Sequence, residues 1–157
     1  MRRSEICRGV ALLLFVGLAS RAAVAGKIVL DLPSIAGEQK SAVAKVLGKP
    51  VKCGASKYGE HCDYAGGTEV VYISGAADWI TITPKNVPYG PAALESIGLA
   101  ATKPDFASPD NLEWRSGLRE TLTMVNGATL TVPLTSISVF PGGSGMTRMI
   151  YIKATTP

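Results

Sequence analysis

The only histidine of the chain, His61, stands between Cys53 and Cys62 in the stretch CGASKYGEHCDY, with Glu60 and Asp63 beside it. Imidazole, thiol and carboxylate are the groups that ligate transition metals and that carry nucleophilic or acid–base catalysis. Any chemistry in this sequence should start here.

The spacing argues against both kinds of chemistry. If Glu60 to Tyr64 opens a strand, neighbouring side chains alternate faces, so His61 and Asp63 share one face while Cys62 and Tyr64 take the other. A closed zinc site needs about four ligands and usually sets its cysteines as C-x2-4-C with a second pair elsewhere. Here eight residues separate the cysteines and there is no second pair. A serine triad would have to use His61, yet the nearest approach to a nucleophile elbow, GGSGM at 142–146, fails at its last position and predicts a hairpin turn. The acids Asp105, Asp110, Glu113 and Glu120 show no spacing suited to a carboxylate pair. The sequence therefore predicts no catalytic residue, no metal and no cofactor.

The elements around this stretch begin with an export segment. Arg2, Arg3 and Arg8 form a basic start, Val10 to Leu18 an apolar run, and Ala23-Val24-Ala25 a small-x-small cleavage site, which predicts a signal peptide over 1–25 and a mature chain from Gly26. The apolar run is shorter than the roughly 20 residues of a membrane span. Removal takes four arginines, one glutamate and Cys7, leaving 12 basic against 11 acidic side chains and the single pair Cys53 and Cys62. In a periplasmic or secreted setting that pair predicts a disulfide. The near-neutral mature chain has no basic footprint for nucleic acid and no transmembrane segment.

About 132 residues remain, enough for one domain or two small packed units. Lys27 to Leu32 is a strand or extended arm. Ser34 to Leu47 has helical spacing and stops at Gly48 and Pro50. Glu69 to Ile73 and Asp78 to Thr83 read as strands around a Ser74-Gly75 turn. The proline-rich PKNVPYGP at 84–91 separates a first unit, 26–83, from a second, 84–157. In the second, a helix over Ala92 to Leu99 precedes strands at Leu112 to Arg115, Glu120 to Val125, Thr129 to Val139 and Met146 to Ala154. Asn126-Gly127 gives a hairpin signal, and Pro133 makes the third run an edge strand or splits it. The fold class is α+β, short helices on antiparallel sheet.

The run AVAKVLGKP, Cys53, a short loop, Cys62 and YAGGTEVVYI resembles one unit of the β-lactamase inhibitory proteins and of the small outer-membrane assembly lipoproteins of the SmpA/OmlA type. The resemblance covers residues 34–83, and 91–154 through element order, where ALESIGLAATKP echoes the first helix. No cysteine stands at the cleavage point where those lipoproteins attach lipid. The resemblance implies two tandem helix-then-meander units and, as in the inhibitors, target binding through a concave sheet surface.

If Val71, Ile73, Ile80 and Ile82 face the helix, alternation sends His61, Tyr72 and Trp79, with Trp114 or Tyr151, to the opposite face. These five are the candidate protein-binding residues; the alternative use of the aromatics is a core shared between two half-sheets. The reading is an exported, non-enzymatic module that binds another protein. The alternative is a small hydrolase or ligand-binding protein with its site around His61.

Overall fold

A computed structural model describes residues 27–115, 122–123, 129–130 and 134–156. The export segment 1–25, the Asn126-Gly127 turn and Pro133 lie outside the described residues.

The chain is an α+β domain in which helical segments cover one face of an open, eight-stranded antiparallel sheet of order β1-β2-β3-β4-β10-β9-β6-β5. The first four strands form a meander: β1 Lys52–Ala55, β2 Glu60–Tyr64, β3 Thr68–Ile73 and β4 Ala76–Ile82. The later ones are β5 Phe106–Ala107, β6 Leu112–Trp114, β9 Ser136–Pro141 and β10 Thr147–Lys153, and β10 docks on β4 to make one continuous sheet. Between them β7 Leu122–Thr123 pairs with β8 Thr129–Leu130 as a separate ladder. The long apolar run from Thr129 is thus two strands.

Local chemistry explains most boundaries. Ser74 and Gly75 both take positive φ, 53° and 85°, the mirror-image turn whose twist matches a tight hairpin between β3 and β4. Helix α1 occupies Lys40–Leu47 and ends at Gly48, with φ 83°, where glycine carries no steric penalty. It starts six residues later than its periodicity predicts, because Gln39 is extended and bridges Ala76 at the sheet instead. Ile35 nevertheless is fully buried, its place fixed by a 3-10 turn at Leu32–Ser34. The second predicted helix is a 3-10 segment, Pro91–Ile97, capped by left-handed Gly98.

The cysteine stretch departs most from expectation. It is the β1–β2 hairpin, so the sheet begins at Lys52 and not at Glu69. Its turn brings Gly59 against β3, where a Cβ would stand 2.1 Å from the carbonyl oxygen of Tyr72. Only glycine fits that approach.

The covered face holds one core. A row of paired residues runs Cys62, Val70, Ile80, Ile152, Ile137 and Trp114 across six strands. Val43 of α1, Ile35, Leu94 and Ile97 close over this face and join the same buried cluster. Tyr72 lies here too, its hydroxyl 2.6 Å from that of Tyr64. Burial first, then this hydrogen bond, pushes the Tyr72 phenol far above its ordinary value, so Tyr72 stays neutral on this side. Tyr72→Phe strands the Tyr64 hydroxyl in an apolar setting and should lower unfolding free energy by about 1 kcal/mol in urea titration.

Candidate functional site

The cysteines first. Cys53 and Cys62 face each other across β1 and β2 and are joined by a disulfide, their Cα atoms 4.1 Å apart. The bond lies on the core side, with Cys62 fully buried. It staples one strand to its neighbour. Glu60, also on that side, pairs with Lys40 at the start of α1, at 2.6 Å. Glu60 and the two sulfurs come together, but oxidised sulfurs are not thiolate ligands, and the carboxylate is already engaged.

His61 and Asp63 point the other way, as strand alternation requires. The register then assembles the open face: His61 pairs with Val71, Val71 with Trp79 and Trp79 with Lys153, while Asp63 pairs with Glu69, Glu69 with Thr81 and Thr81 with Tyr151. Of the five residues proposed for binding, His61, Trp79 and Tyr151 therefore share one face.

Tyr72 and Trp114 do not. Both are buried on the core side at 3% exposure, and Trp114 donates its indole N–H to the Thr102 carbonyl at 3.2 Å. The expected alternation of β3 is inverted: Val71 stands on the open face, and Thr68, Val70 and Tyr72 go inward. The charge of Glu69 decides the parity, since Glu69, Val71 and Ile73 share a side and burying an unpaired carboxylate costs more than exposing two aliphatics.

Tyr58 and Lys153 complete the aromatic patch. The Tyr58 ring, carried by the β1–β2 turn, rests on Trp79 with centroids 4.4 Å apart, and the Lys153 ammonium lies 5.7 Å from the Trp79 centroid. Ser56 holds that turn by accepting from Tyr58 N–H and donating to the Gly59 carbonyl. Burial, followed by the nearby Asp78 charge and Tyr58, raises the Tyr151 phenol, keeping it a neutral donor. In the sequence Tyr58 is only part of the short loop between the cysteines, and nothing in its spacing announces the contact with Trp79.

Asp78 anchors the patch from behind. Between the pairs Val71–Trp79 and Tyr72–Ala77, β4 carries one more residue than β3, and that residue is Asp78, a β-bulge that re-aims its side chain. Fully buried, its carboxylate accepts from the N–H groups of Thr155 and Thr156 at 2.9 and 3.1 Å and from the Thr155 hydroxyl at 2.8 Å. Burial pushes this carboxyl up, but the hydrogen bonds from Thr155 and Thr156 outweigh it and hold the group below the usual carboxylate value. Thr156 in turn accepts from the Trp79 indole N–H at 3.1 Å. The C-terminal tail thus fixes the tryptophan.

Around His61, a depression of about 240 Å³ is lined by Lys52, Cys53, Gly54, Ala55, His61 and Asp63. Gly54 lies opposite His61 and contributes no side chain, which leaves the imidazole accessible. The lining includes Lys52, His61 and Asp63, with no serine, threonine or free thiol among its residues.

Comparisons with protein-family models, with curated proteins and with solved structures found no match. Among the described residues, no helix is long and apolar enough to cross a membrane.

Proposed function

We propose that this chain is an exported, non-enzymatic module that binds another protein, an envelope component or an extracellular enzyme, through its open sheet face. The carrying observation is the patch of Tyr58, Trp79, Tyr151 and Val71 on the side of the sheet opposite the helical segments. Tryptophan and tyrosine give large contact area at low entropic cost, and Trp79 is held in place before any partner arrives. In this reading the export segment 1–25 is removed after Ala25, and residues 26–83 and 84–157 form two helix-plus-sheet units joined edge to edge, as in the inhibitory proteins the sequence resembles.

Trp79→Ala should weaken capture of the partner by at least about tenfold, the effect of losing an interface anchor, with little change in stability. Crosslinking pull-down of the exported protein, followed by affinity measurement on the captured partner, checks this. Dependence on His61 with indifference to Trp79 would favour a ligand or hydrolase site in the depression.

A further inference from the structure

We infer that His61, Asp63 and Glu69 form a surface site for a divalent transition metal of the zinc type, with open coordination positions toward the depression. This site is independent of the protein-binding reading and departs from the sequence expectation of no metal. A count along one segment finds His61 and Asp63 on one face; the β2–β3 register adds Glu69, directly opposite Asp63.

The distances fit one ion. The His61 Nε2 lies 3.3 Å from Asp63 Oδ1 and 3.4 Å from Glu69 Oε2. Ligands held tetrahedrally at about 2.0–2.1 Å from zinc are themselves about 3.3–3.4 Å apart. All the candidate ligand atoms lie within 4.8 Å of one another.

Charge supplies a second argument. Asp63 has Lys52 opposite it on β1 and Glu69 opposite it on β3; the two carboxylates repel across the β2–β3 pair, a repulsion that a cation bound by both removes. The nitrogen–oxygen donor set suits zinc and its first-row neighbours and disfavours magnesium, which prefers an all-oxygen octahedron. His61 has Gly54 as its cross-strand neighbour, where a Cβ would meet nothing within 4 Å, so an ion reaches the ring without rearrangement. The three side chains are 39%, 44% and 54% exposed, which places the site at the surface, with water or a second molecule completing the coordination.

The histidine is unique in the chain, so its ring signal is assigned without ambiguity. The disulfide-intact full chain, titrated with zinc chloride and followed by nitrogen-detected NMR of the imidazole, should show the Nε2 resonance shift and saturate at one equivalent. Asp63→Asn and Glu69→Gln should each weaken the response by at least about tenfold, with the backbone amide spectrum confirming that both variants stay folded. Magnesium should leave the imidazole unmoved. An Nε2 resonance indifferent to zinc would overturn the assignment. So would a zinc response unchanged in both carboxylate variants, which would make His61 a lone surface ligand, or an equal response to magnesium, which would reduce the cluster to a patch of negative charge.

Discussion

Asp78→Ala should lower the unfolding free energy by about 3 kcal/mol at neutral pH, because it removes charge-assisted hydrogen bonds from a buried carboxylate and frees the tail that they hold. Thr155 and Thr156 N–H groups, paired with Asp78 in the native chain, must find water or stay unsatisfied. The loss should be pH-dependent. A carboxyl held below its unfolded value stabilises the fold above about pH 3.9, and that stabilisation disappears as pH falls through the lowered native value. Urea unfolding of native and variant proteins at neutral pH and in acid should therefore show a gap that narrows on acidification. A constant gap would mean that Asp78 acts through packing alone. The same substitution removes the support of Thr156 beneath the Trp79 indole, so Trp79 fluorescence should also change.

Opening the disulfide should be nearly as consequential. Reduction of Cys53–Cys62 releases a short loop, which on chain-entropy grounds lowers stability by about 2.5 kcal/mol. The effect should be concentrated at one edge, since β1 has β2 as its neighbour in the sheet. Hydrogen exchange at Lys52–Ala55 should accelerate on reduction well beyond the change at Ile80 or Ile152 in the central strands. A Cys53→Ala, Cys62→Ala double variant should lose somewhat more, because it also empties a fully buried position at Cys62. Uniform acceleration across the sheet would contradict the edge-staple role.

How far the sequence carries toward this structure depends on the distance over which each feature is encoded. The α+β class, the cysteine pairing, the Ser74-Gly75 hairpin and the stop at Gly48 rest on neighbouring residues and were all legible. Helix α1 lost its predicted first turns because Gln39 is taken by a bridge to Ala76, a competition between distant segments. Of the candidate site, the shared face of His61, Trp79 and Tyr151 followed from alternation. Tyr72 and Trp114 were assigned to the wrong face: β3 has apolar residues on both parities, and the deciding signal, Glu69 in step with Val71 and Ile73, was outweighed by their hydrophobicity. The Asp78 bulge, the Tyr58 contact and the meeting of Glu69 with His61 depend on strand register. Sequence patterning along single strands does not contain it.

The central claim, that this protein works through its open sheet face, is tested most directly by site-specific photo-crosslinking from two surfaces of the full chain. A crosslinker replacing Tyr151 reports from the aromatic face, and one replacing Val46, an exposed residue of α1, reports from elsewhere on the surface. The account predicts one reproducible protein adduct from position 151, lost on adding Trp79→Ala, and none from position 46. The same adduct from position 46 with none from position 151 would contradict it.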